Sequence, residues 1–215
     1  MALSEKEQQQ INTLVGRFEA DTGIQAVAAV VEKADAYPEL PWKGYAIGSA
    51  LGALAVVLYP FPLTAWSGIS SLAFCAMAIL GAGAIAAAAT LVPAVGRLLL
   101  DRVRAEGEAR QCAATLFLER ELFRTKARRS ALLFVSRFER VTVVLPDSGL
   151  AQHAPRAGLD RVAAAMRSAL LHGGEVAAFE AGFASLQTLL QSHGYVATAF
   201  EANELDDGVI VEKGA

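Results

Sequence analysis

The chain of 215 residues has two cysteines, three histidines and, from Gly44 to Gly96, not one charged side chain. So few cysteines point away from an oxidising framework: Cys75 lies inside the uncharged block and Cys112 in a helical stretch. The histidines, His153, His172 and His193, have no metal-ligand spacing. His172 and His193 fall where helices should end, and a cation there suits the helix dipole. A formal net charge of −3 gives no basic field to draw the chain to nucleic acid. Phosphate-binding glycine loops, paired zinc cysteines and nucleophile elbows are missing. No Asp, Glu, Lys, Arg or His lies in the uncharged block, which argues against a proton relay or an ion pathway there.

What is present is the block itself. About 20 apolar residues cross a bilayer, so Gly44–Gly96 has room for two crossings and a turn. It begins too far along the chain for a signal peptide. Pro60-Phe61-Pro62 divides it into helices of about 44–59 and 68–96, with Pro93 as a kink. Trp42 and Tyr45 at one end, and Tyr59 and Trp66 at the other, suit the two interfaces. Gly44, Gly48 and Gly52 recur every fourth residue and make a smooth helix face. Its neighbour is either the second helix of the same hairpin or a second copy of the chain. Lys33, Lys43, Arg97, Arg102, Arg104 and Arg110 flank the block, while Phe61–Ser67 carries no charge. The excess of positive residues places both termini in the cytoplasm.

The flanks read as a soluble fold. Ser4 and Glu7 have capping-box spacing, and Ile11, Leu14, Val15 and Phe18 form an amphipathic stripe. Thr22-Gly23 ends that helix, and Ile24–Glu32 is a buried strand. After the block come a helix over Glu106–Thr125, a strand over Ser130–Ser136, a polar turn at Arg137–Arg140 and an antiparallel return over Arg140–Leu145. A helix after Pro155 ends at His172-Gly173-Gly174, and another runs from Glu175 to His193. The expected fold is an α/β (α+β) sandwich, a small mixed sheet flanked by helices and interrupted by a two-helix transmembrane hairpin. Residues 1–42 and 98–200 form one domain, 43–97 form the hairpin, and 201–215 form an acidic flexible tail. The strands at Ile24–Glu32 and Ser130–Ser136 should pair in parallel, since a long connection separates them.

Three stretches carry a resemblance: "LSEKEQQQINTLVGRFEADTGIQAVAAVVE", "TKARRSALLFVSRFERVTVVLPDSGL" and "LLHGGEVAAFEAGFASLQTLLQSH". In order and pattern they resemble the TPM-domain family, a phosphatase-type domain, in its membrane-bound bacterial branch with an inserted hairpin. The resemblance implies an integral protein of the bacterial inner membrane. Family features are lost here: an Asp-Tyr-Ala-like stretch before the first helix is absent, Asn-Asn-Gly is replaced by Arg128-Arg129-Ser130, and Gly-Leu-Glu becomes Gly149-Leu150-Ala151. Glu139 and Asp147 match acidic positions of related members.

Two readings of function follow. The first is a membrane-anchored, non-enzymatic interaction or scaffold module without a cofactor, whose protein partner the sequence does not identify. The second is a metal-dependent phosphatase-like hydrolase, with Asp147 and Glu139 as weak catalytic candidates and a divalent cation as cofactor. Asp147-Ser148-Gly149 is also ordinary turn chemistry. Arg124, Lys126, Arg128 and Arg129 form the densest basic patch, read either as a solvated turn or as a binder of lipid headgroups. Interleaved stacking aromatics are missing, which disfavours nucleic acid. A homo-oligomer is compatible with the glycine face.

Overall fold

A computed structural model describes residues 3–58, 68–150, 153–197 and 208–214. Among these are six helices and a four-stranded mixed sheet. The chain divides into two compact units, one of Met1–Asp35 with Val103–Ala215, the other of Ala36–Arg102.

In the first unit α1 (Glu5–Thr22) opens on the capping box: the Ser4 side chain accepts from the Glu7 backbone N–H, and the Glu7 carboxylate accepts from the Ser4 backbone N–H. Gly23, at φ 72°, closes the helix in the left-handed conformation. Strand β1 (Gln25–Lys33) follows directly. It pairs in parallel with β2 (Ser130–Ser136), from Gln25 opposite Ser130 to Val31 opposite Ser136. Strand β3 (Val141–Pro146) returns antiparallel to β2 through the turn at 137–140.

The strand order is β3-β2-β1-β4. Strand β4 (Ile210–Gly214) pairs in parallel with β1. It lies within the span that the sequence reads as a flexible tail, so that reading is corrected for these five residues. Ile210 and Val211 are little apolar signal, and the strand is recruited by the otherwise unpaired edge of β1. Residues 201–207 of the tail lie outside the described residues.

Alternate residues of the central strands feed two cores. Ala26, Ala28 and Val30 of β1 join Leu133 and Val135 of β2 under α1 and α6 (Arg156–Ser192). Val27, Ala29 and Val31 join Leu132 and Phe134 under α5 (Arg102–Glu119). Both faces of β1 and β2 are thus buried, which explains their unbroken apolar runs. Phe18 of α1 meets Phe183 of α6 with ring centroids 5.1 Å apart.

One boundary differs from expectation. Helix α5 stops at Glu119, because Glu121 takes a positive φ of 51° before a single 3-10 turn at Leu122–Arg124. The two expected C-terminal helices are present and meet in a kink at Gly174, whose φ of 79° and ψ of −167° an L side chain rarely adopts; both are counted in α6. Arg137 donates to Glu175 at 2.6 Å just beyond this break.

The second unit is a pair of apolar helices, α2 (Glu39–Leu58) and α3 (Gly68–Ala89), followed by the short α4 (Pro93–Leu99). Helix α2 starts five residues before Gly44. The second helix does not run through Pro93 as a kink: it ends at Ala89, and Pro93 opens α4, where its missing N–H costs nothing. Leu100 is extended, so α4 is not continuous with α5. Pro60-Phe61-Pro62, the uncharged turn at 61–67 and the rings of Tyr59 and Trp66 lie outside the described residues.

Candidate functional site

Gly44, Gly48 and Gly52 face α3. A Cβ on Gly48 would stand 2.5 Å from the carbonyl oxygen of Ala82 and 2.5 Å from the Cβ of Ala86. On Gly52 it would meet Ala82, and on Gly44 it would meet Thr90 and Ala86. Two ladders with four-residue spacing, glycine on α2 and Ala78, Ala82, Ala86 and Thr90 beyond it, let the backbones approach closely. The outward face is the reverse. Ile47, Leu51, Leu54 and Val57 of α2 and Leu72, Met77, Leu80 and Ile85 of α3 are exposed, Val57 to 79%. Both helices are long and apolar enough to cross a membrane. Trp42 is exposed beside Tyr45, and Lys43 Nζ donates to the Leu99 carbonyl at 3.3 Å, where a cation complements the end of α4.

The two acidic candidates stand at opposite ends of β3. Glu139 precedes the strand and Asp147 follows it, so about 20 Å or more separates them at 3.3 Å per residue. They do not assemble one site. Glu139 is buried, and both its oxygens are engaged: Oε1 accepts from the Ala34 N–H at 2.9 Å and Oε2 from the Ser136 hydroxyl. It ties the β2–β3 turn to the end of β1. Sequence reasoning missed Ser136, which reads only as the last residue of an apolar strand.

Asp147 is buried at 6% exposure. Its N–H donates to Ser130 O at 2.8 Å, its carbonyl accepts from Leu150, and Oδ1 accepts from the Ser148 N–H at 2.6 Å. That is turn chemistry. Gly149 fits because a Cβ there would stand 2.5 Å from Arg128 O. One feature exceeds a turn: Asp147 Oδ2 is buried without a hydrogen-bond partner, as are the hydroxyls of Ser130 and Thr125 at this end of the sheet. A hard divalent cation takes six or more oxygens, usually with several carboxylates. One carboxylate, with Glu139 out of reach, does not fit that demand. Among the described residues no group of three or more His, Cys, Asp or Glu could hold a metal ion.

The basic patch occupies the turn into β2. Arg124 pairs with Glu121 at 2.5 Å, and that carboxylate raises its already high pKa. Arg128, at φ 52°, lies over the Phe123 ring at 5.5 Å and reaches Asp147 Oδ1 at 4.0 Å. The patch adjoins the start of β1. The chain leaves this unit at the other end of β1, where Arg104 pairs with Asp35 at 2.9 Å. His153 and His193 meet at the end of α6, with His153 Nδ1 2.9 Å from the His193 carbonyl and His193 Nδ1 2.9 Å from that of Leu189. His172 Nδ1 lies 2.7 Å from the Ser168 carbonyl. These contacts suit helix ends.

The fold and sites define a mixed α/β protein carrying a pair of apolar helices with a small-residue seam. In fold it is similar to the BA42 protein from the psychrophilic bacterium Bizionia argentinensis sp. nov., solved by NMR, with a TM-score of 0.57 and 10% identity over 98% of this chain and 96% of that one. Neither a family model nor a curated protein matches the chain.

Proposed function

We propose that the chain is a membrane-anchored interaction module: α2 and α3 form a transmembrane hairpin, and the α/β unit is a cytoplasmic, non-enzymatic binder of a partner protein. The observation that carries this reading is the two-sidedness of the helix pair. Its inner seam is Gly and Ala at backbone distance, and its outer face is exposed Leu, Ile, Val and Met. Water penalises such a surface and lipid does not. Positive residues on both flanks favour two cytoplasmic termini in a bacterial inner membrane. The order of α1, β1, β2 and β3 supports kinship with the TPM-domain family. Arg124, Lys126, Arg128 and Arg129 lie at the end of β1 opposite the chain's exit, which favours the solvated turn over the binding of anionic headgroups.

A second reading, the phosphatase-like hydrolase, rests on the unpartnered Oδ2 of Asp147. The saturation of Glu139 and its distance from Asp147 favour the first. Purified protein should show no phosphatase turnover that depends on Asp147, with or without divalent metal. Metal-dependent turnover lost in a folded Asp147→Ala variant would overturn the non-enzymatic reading. A reporter fused after Ala215 should be active only in its cytoplasmic form, and an external readout would overturn the topology.

A further inference from the structure

The two edges of the sheet are built differently. At the β3 edge, α5 lies on one face and α6 on the other, and ion pairs join the helices across the gap. Arg110 reaches Asp160 at 3.1 Å, and Arg167 reaches Glu106 at 3.7 Å. Thr142 of β3 donates to the Ala163 carbonyl of α6 at 2.7 Å. A strand approaching β3 would have to displace these groups.

At the other edge, among the described residues, β4 pairs with β1 alone. Its residues are exposed or half-buried. The Arg120–Glu212 pair, at 2.9 Å, ends on β4 itself. Unpaired N–H and C=O groups on such an edge are a template for a further strand.

Beside this edge lies a groove of about 560 Å³ between β4 and α5. The sheet leaves room for it: four strands spaced at about 4.8 Å span more than one helix about 10 Å across can cover. One wall is a single stripe of α5, Glu108, Gln111, Cys112, Thr115, Leu116 and Glu119, about 16 Å long at 1.5 Å per residue. Glu212 and Lys213 of β4 and Asp35 beyond β1 complete it. Four carboxylates line the groove against Lys213; Arg104 pairs with Asp35 and Glu108, and Arg120 with Glu212, so these groups balance to one excess negative charge, on the side of Glu119. The Cys112 thiol reports the same field from the wall: burial pushes its pKa up, and Glu212, Glu139 and Glu119 push it further.

We propose that the outer edge of β4, unpaired among the described residues, and the acidic groove beside it bind an extended segment of a partner protein, added as a fifth strand with Lys or Arg at alternate positions facing the groove. This rests on the reading of the α/β unit as an interaction module and names the chemistry of its partner. Ile210 packs into the core on the α5 side, so same-face side chains of an added strand point toward the groove. Residues i, i+2 and i+4 of that strand span about 13 Å, within the 16 Å wall. Main-chain bonds supply affinity, and the alternating cations supply selectivity.

The test uses full-length protein in nanodiscs and a fluorescent eight-residue peptide alternating lysine with valine, followed by anisotropy. Saturable binding is expected, with slowed amide exchange across 208–214. Glu108→Gln and Glu119→Gln should each weaken binding by roughly 2- to 5-fold, the scale of an exposed charge pair. The same peptide N-methylated at alternate residues should not bind. No binding up to about 1 mM, equal binding by the N-methylated peptide, or unchanged exchange at 208–214 would each overturn the proposal. A partner crosslinked elsewhere on the α/β unit would leave the interaction-module reading standing while removing this edge. Turnover dependent on Asp147 would remove that reading whatever the peptide does.

Discussion

Adding a single methyl group at Gly48 tests the seam between α2 and α3. In Gly48→Ala the new Cβ would stand 2.5 Å from Ala82 O, 2.5 Å from Ala86 Cβ and 3.1 Å from the Ala82 carbonyl carbon. Ordinary contact is about 3.5–4.0 Å, so the helices must separate by about 1 Å. The atoms in the way are backbone and a Cβ, which have no rotamer to yield. Overpacking of this kind costs about 1–3 kcal/mol. Alanine gains up to about 1 kcal/mol of helix propensity over glycine, so the net loss should be up to about 2 kcal/mol, and Gly48→Ala should fall about 1–3 kcal/mol below a control that gains the same propensity without the clash. Gly81 is the matched control, because a Cβ there meets nothing within 4 Å. Gly81→Ala should be neutral or slightly stabilising. Unfolding in mixed micelles by titration with a denaturing detergent reads both variants. If Gly48→Ala proved as stable as Gly81→Ala, the glycine ladder would not be the contact between these helices.

Other outcomes follow from the α/β unit. Glu139→Ala strands the Ala34 N–H and the buried Ser136 hydroxyl, and should cost about 2 kcal/mol in thermal unfolding, whereas Glu139→Gln should cost less. Asp147→Asn keeps an acceptor for the Ser148 N–H and relieves an unpartnered carboxylate oxygen, so it should cost about 1 kcal/mol or less and leave partner binding intact. The Ser4 hydrogen bonds hold the Glu7 carboxyl below its ordinary value of 4.5. The capping box therefore contributes fully above pH 4.5 and is lost as pH falls through the lower folded value. Amide protection in the first turn of α1 should fall over that acid range. Unchanged protection there would mean that the capping carboxylate contributes nothing.

Much of the fold was legible where local chemistry and burial agree. Ser130–Ser136 is apolar at every inner position and is strand β2 with the same bounds. Parallel pairing of β1 and β2 followed from the long chain between them. Gly44, Gly48 and Gly52 announced a close contact through spacing alone. Strand β4 was not legible, because Ile210 and Val211 sit in an acidic stretch and its ladder depends on a partner strand far away in sequence. The break before Pro93 was read as a kink, because sequence does not say whether the preceding residues stay helical. Asp147 was legible as a turn. That Glu139 and Asp147 stand at opposite ends of β3 needed only a strand between them, and that strand was in the sequence reading. The groove was hidden because its wall combines a helix stripe with β4.

Photolabelling with a diazirine on a lipid tail, in bilayers holding the full chain, tests the membrane anchor most directly. Adducts should fall on Leu51, Val57, Leu72 and Ile85, should spare the seam at Gly48 and Ala82, and should leave the β-sheet unlabelled. A chain that leaves the bilayer in alkaline carbonate and carries no adducts on α2 or α3 would contradict the account.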